Sequence, residues 1–268
     1  MNAQVKSVLP PLIFGVAGLA LWQLLTVAAG VPSFLLPSPT AIAGEFTDNF
    51  GRILDAATAT GTNALIGLIL GSVCGIVAAM FAVRFHVVDG LLTPLAAAAA
   101  AVPIVALAPL LNSMYSTTTD TPRRMVVTIV VFFPMFVSTA RGLRQVPQVH
   151  ADLMTSYAAG GWQVTRTVRL PAALPHLFTG LRIAAPGAVI AAIIAEYFGG
   201  LQNGLGSRIT SAAANTAYPR AWAYVVGAML VGLLFLSVVL VIEHLTRRPR
   251  PPSPFTAKGL FNTAWRTK

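Results

Sequence analysis

Apolar residues run along this chain in six long stretches separated by short polar segments, and most of them are long enough for a helix to cross a bilayer. The stretches cover about 9–29, 60–83, 91–111, 125–140, 178–198 and 221–242, the fourth being the shortest. The first is longer than the apolar core of a cleavable signal peptide and reads as an uncleaved anchor. Within hydrocarbon each backbone N–H and C=O must be satisfied inside its own segment, so spans of this length are helical. The pattern predicts an all-α, polytopic membrane protein with six transmembrane helices. Residues 1–245 form the membrane domain, and 246–268 form a basic, proline-rich tail. Two readings of that tail stay open: a segment on the inner membrane surface, or disorder.

Composition removes the soluble alternative. The 268 residues are 56% hydrophobic and 10% charged, with mean hydropathy +0.74, whereas a soluble domain carries about 25% charged residues. The net charge of +10 could point to nucleic acid, but the positions follow a membrane rule. With both termini cytoplasmic, only Arg52, Arg123, Arg124, Arg208 and Arg220 lie outside; the other lysines and arginines lie inside. This asymmetry predicts cytoplasmic termini and a cytoplasmic loop over 141–177.

Candidate chemistry is sparse. The single cysteine, Cys74, excludes an intrachain disulfide and reads as a small buried hydrophobe. His86, His150, His176 and His244 lack metal-ligand spacing, so no metal site is expected. A phosphate-binding glycine loop and a nucleophile–base constellation are both missing from the sequence. The chain is therefore expected not to be an enzyme and to hold no cofactor of its own.

Several local patterns stand out. Pro32 and Leu36-Pro37-Ser38-Pro39 precede a predicted short outer helix over 40–50, with Pro39 suited to its start. Gly67, Gly71 and Gly75 share one face of the second span and suit close helix approach, either within the chain or between subunits. Pro94, Pro103 and Pro109 interrupt the third span; the freed carbonyls face either packed protein or a pathway. Glu196 is the one acid within a span, near its outer end, and is a candidate for the pathway or its rim.

The 141–177 loop carries the most specific pattern. Pro147 suits a helix start, and Val149, Leu153 and Tyr157 make one apolar stripe on a predicted helix over 147–159. Gly160 and Gly161 suit the left-handed turn that ends such a helix. A second short helix over 162–170 is predicted to stop at Pro171. Asp152, Ala158, Val168, Leu170 and Pro171 stand in a spacing that resembles the coupling loop of the membrane subunits of binding-protein-dependent ABC importers. That loop reads Glu-Ala-Ala, three residues, Gly, nine residues, Ile-x-Leu-Pro. Leu170 and Pro171 match, Asp152 and Val168 are conservative, and Leu153, Met154 and Ala158 depart; the turn is expected to shift from Ala158 to Gly160-Gly161. The stretches Leu36 to Pro39 and Pro103 to Leu110, and Glu196 followed by Gly204-Leu205-Gly206, are similar to the nitrate, sulfonate and taurine subgroup.

The resemblance implies a type I importer permease in the bacterial plasma membrane. It implies a homodimer, cytoplasmic ATP-binding subunits seated on the loop, and an extracytoplasmic solute-binding protein that delivers a small polar solute. That solute would be a sulfonate, nitrate, taurine or a vitamin-precursor-like molecule. Val149, Asp152, Leu153, Tyr157, Ala158, Gly160, Gly161, Leu170 and Pro171 would couple to the ATPase, and Pro103, Pro109 and Glu196 would belong to the pathway. The alternative is an ion-coupled secondary transporter, which usually places acidic groups near the midplane.

Overall fold

A computed structural model describes residues 3–99, 103–115, 118–145 and 148–246; the proposed helix start at Pro147 and the tail beyond Thr246 lie outside these. The described chain is helical, without strands. Five helices are long and apolar enough to cross a membrane: α1 (Ala3–Ala28, apolar from Leu9), α3 (Phe50–Arg84), α6 (Thr121–Arg144), the run Gly161–Tyr197 that ends in α9 (Leu170–Tyr197), and α11 (Tyr218–Thr246). Where the sequence predicts a continuous third span, the structure has two shorter helices, α4 (His86–Ala99) and α5 (Ile104–Met114). Pro103 cannot donate a backbone hydrogen bond and stands in extended geometry (φ −70°, ψ 113°) immediately before α5. The two pieces still link opposite ends of the bundle. Asp89, early in α4, pairs with Arg144 at the end of α6; Asn112, late in α5, donates to the Phe198 carbonyl beyond α9 at 3.5 Å.

The predicted outer helix is present as α2 (Pro39–Asp48), with Pro39 in its first turn and the Ser38 hydroxyl accepting from the Ala41 N–H at 3.3 Å. Helix α10 (Leu205–Ala214) is an addition that the apolar pattern does not reveal.

α6 is the centre of the bundle, with α3 and α9 packed along it. The glycine stripe of α3 decides its own question: it is intra-chain packing. A Cβ on Gly67 would meet Val127 Cβ at 2.4 Å, one on Gly71 the Thr128 carbonyl oxygen at 2.6 Å, and one on Gly75 the Phe132 carbonyl oxygen at 2.8 Å. The other side of α6 receives α9 through small residues, among them Gly180 against Ser138 and a run of buried alanines including Ala184, Ala188 and Ala192. Close approach of small residues is the main source of helix association where lipid is as apolar as leucine.

The molecule is apolar on the outside. Phe14, Leu65, Ile69, Val73, Val77, Ile190, Leu233, Leu234 and Val241 are all exposed, far more contiguous apolar surface than water tolerates. Cys74 lies on this exposed side and is not buried, because the Gly71–Gly75 face takes the packing against α6. α1 touches the remainder chiefly near its end, where Trp22 meets Trp222 edge-to-face at 6.0 Å and the Gln23 side chain bonds Thr40 at 3.1 Å. Arg182 of α9 bonds Glu243 of α11 at 2.6 Å. Glu243 is buried and falls just past the predicted sixth span, so the pair was not apparent from the apolar pattern.

Candidate functional site

The antiparallel arrangement of α9 against α3 and α6 places functional residues at two ends of the bundle. At one end the 141–177 segment follows α6. α7 (Gln148–Ser156) is a helix of 9 residues, shorter than the predicted 147–159. Val149, Leu153 and Tyr157 do share one side, and all three are open to solvent, at 75%, 53% and 76% exposure. Trp162 adds a fourth exposed apolar group at 68%. Asp152 is exposed beside them. Within the single chain this stripe has no partner to bury it.

The turn after α7 differs from expectation. Ala158, at the family's glycine position, takes the left-handed conformation (φ 51°), while Gly160 stands at φ −65° and caps the next helix. The Ala159 N–H bonds back to the Met154 carbonyl at 3.0 Å, the six-to-one bond of a helix terminus whose left-handed residue is Ala158. The turn has therefore stayed in register and has not moved to Gly160-Gly161. An alanine there carries about 1–2 kcal/mol of steric cost. Ala158→Gly is expected to keep the turn and relieve that cost, whereas Ala158→Val, β-branched at positive φ, is expected to loosen the turn. Limited proteolysis of each purified variant across 156–161 checks this; equal resistance of the valine variant and the wild type would show that the left-handed residue carries no strain.

Pro171 is also not a stop. α8 (Gly161–Val164) runs through a π-helical turn at Thr165–Arg169 directly into α9, with Pro171 in the first turn of α9. The wider turn leaves a carbonyl without its usual donor, the position that a residue lacking N–H can occupy without loss. Leu170 and Pro171 are thus the joint of one continuous helix from Gly161 to Tyr197.

At the other end, Glu196 is buried (1% exposed). The Thr60 hydroxyl of α3 lies 2.9 Å from both its carboxyl oxygens, and the Gly206 N–H donates at 2.9 Å. Thr60 also accepts from the Leu205 N–H at 2.8 Å. The carboxyl group therefore ties the start of α10 to α9 and α3, and it is consumed within the fold. Beside it the buried Arg123 guanidinium bonds Asp120 at 3.3 Å, Asn203 at 2.8 Å and the Leu201 carbonyl. Asn63 joins this group by donating to Asp120 at 3.0 Å and accepting from Arg124 at 2.9 Å. Pro103 and Pro109, in contrast, lie exposed on the α5 side, away from this network.

Comparison with known proteins places the chain in a family. The model of the binding-protein-dependent transport system inner membrane component family matches residues 71–251. A probable ABC transporter permease of Haemophilus influenzae is 28% identical over 240 residues, covering 90% of this chain and 91% of the relative. The riboflavin transport permease of Chloroflexus aurantiacus is 28% identical over 86% of each chain. The formylaminopyrimidine transport permease of Halalkalibacterium halodurans is 28% identical over 88% of this chain and 94% of its own. The chain belongs to the binding-protein-dependent transport system inner membrane component family, a family of membrane permease components and not of catalysts. That membership decides against the ion-coupled secondary transporter.

Proposed function

We propose that this family member is the membrane-spanning half of an ATP-driven importer, working as a homodimer in the bacterial plasma membrane with six crossings and cytoplasmic termini. Separate ATP-binding subunits seat on α7, and a binding protein outside delivers the cargo. The observation that carries this reading is the bare apolar stripe of Val149, Leu153 and Tyr157, joined by one tight turn to the helix that runs through the π turn into the bundle core. An exposed stripe beyond the long helices needs a protein partner. The absence of a phosphate-binding glycine loop from the sequence means that the partner supplies the ATP chemistry.

The cargo is a small polar solute: a sulfonate, nitrate, taurine or a vitamin-precursor-like molecule. The names of the riboflavin and formylaminopyrimidine relatives favour the last of these. Pro103 and Pro109 belong to the α5 surface that would line the pathway between two copies.

The test is reconstitution in proteoliposomes. The purified chain alone is expected to hydrolyse no ATP. Adding the ATP-binding subunit of the same system is expected to yield a stable complex whose hydrolysis rises with the solute-loaded binding protein. ATP hydrolysis by the chain alone, or failure to form any complex, would overturn the reading.

A further inference from the structure

Where α3 and α6 end, a cleft of ≈ 350 Å³ opens between them and the Gly161–Arg169 segment. Its wall is apolar, with Val77, Met80 and Phe81 of α3, and its rim carries Trp162, Arg84 and Arg169. The Arg84 guanidinium stands 5.3 Å from the centre of the Phe85 ring. Neither Arg84 nor Arg169 has a carboxylate partner among the described residues; the nearby ion pair joins Arg144 to Asp89 instead. The apolar wall continues up α3 into exposed Val73. Two uncompensated guanidinium groups thus stand at the mouth of an apolar slot, with an indole beside them.

We propose that this cleft binds an anionic phospholipid of the inner leaflet. The phosphate sits between Arg84 and Arg169, whose planar forks match phosphate oxygens. An acyl chain lies along Val77, Met80 and Phe81, and Trp162 occupies the headgroup depth that suits an amphipathic ring. Basic pockets between spans on the cytoplasmic side suit such headgroups. A free phosphate ion would gain nothing from the apolar wall, so a lipid is the occupant that uses the whole cleft. Because one wall is the segment that leads into α9, a bound lipid braces that segment against α3. The assignment rests on the proposed orientation, with this end cytoplasmic.

The experiment is native mass spectrometry of the purified full chain in detergent, titrated with phosphatidylglycerol or with phosphatidylcholine of the same acyl chains. The wild type is expected to retain phosphatidylglycerol preferentially. Arg84→Gln with Arg169→Gln should weaken that retention about twenty-five-fold, at roughly five-fold for each arginine. Arg52→Gln with Arg208→Gln, at the opposite end, should leave it unchanged. Val77→Trp keeps both arginines but fills the slot, and should also lose the lipid; it decides the matter if the double arginine variant does not fold. Equal retention of the two lipids by the wild type overturns the proposal. So does undiminished retention in the arginine variant, or in Val77→Trp when that variant alone folds, or an equal loss in the Arg52/Arg208 control. The assay involves no ATPase, so its outcome is separate from that of the importer reading.

Discussion

Leu153→Arg is expected to abolish transport while leaving the isolated chain as stable as the wild type. Leu153 is 53% exposed and helps hold no core together, so a charge there should change the melting of the purified chain by less than about 0.5 kcal/mol. In the importer proposed above, the same side chain would lie in an apolar contact with the ATP-binding subunit. An unpaired guanidinium buried in that contact costs several kcal/mol. Even about 2.8 kcal/mol weakens the complex roughly a hundredfold. Asp152→Ala should be far milder, since Asp152 is exposed at the rim of the stripe and such pairs contribute under about 1 kcal/mol. Co-purification of the ATP-binding subunit, read beside the thermal melt of each variant alone, checks both. If Leu153→Arg holds the ATPase normally and transports normally, α7 is not the coupling element.

The features that the sequence displays best are those that depend on one segment at a time. Apolar length locates α1, α3, α6, α9 and α11, because a bilayer imposes the same length on each regardless of its neighbours. The Ser38-Pro39 start of α2 is equally local. What could not be read depends on contacts between distant positions. The Gly67, Gly71 and Gly75 stripe announces close approach, but not that α6 is the neighbour. α10 is only ten residues long and mixed in composition, and is held in place by a carboxyl group contributed by α9. Thr60 and Glu196 are 136 residues apart, so the role of the acid is invisible until the helices are docked. Pro171 continues a helix for a local reason: a Leu-Pro pair reads as a stop unless a π turn precedes it. Ala158 is an unexpected occupant of the left-handed turn because glycine usually takes that place and two glycines follow closely, at 160 and 161.

Glu196→Leu is expected to unfasten the opposite end of the bundle. The substitution removes the acceptor for the Thr60 hydroxyl and the Gly206 N–H, leaving two buried donors unpaired at about 1–3 kcal/mol each. About 3 kcal/mol or more corresponds to a melting temperature about 6–12 °C lower for a chain of this size. Glu196→Gln keeps one acceptor oxygen and should cost about 1 kcal/mol. Gly206→Ala reaches the same result by another route. Its Cβ would sit 2.3 Å from the Ile193 carbonyl oxygen and 2.9 Å from Glu196 Cβ, and a backbone atom in a helix cannot move aside as a side-chain tip can. Both severe variants should free α10 and expose the 199–204 connection to protease, while Glu196→Gln should not. The three melts, measured in one detergent with limited proteolysis alongside, separate a fastening role from a pathway role. Melting of Glu196→Leu within about 2 °C of the wild type, with transport lost, would place the carboxyl group on the solute's route instead.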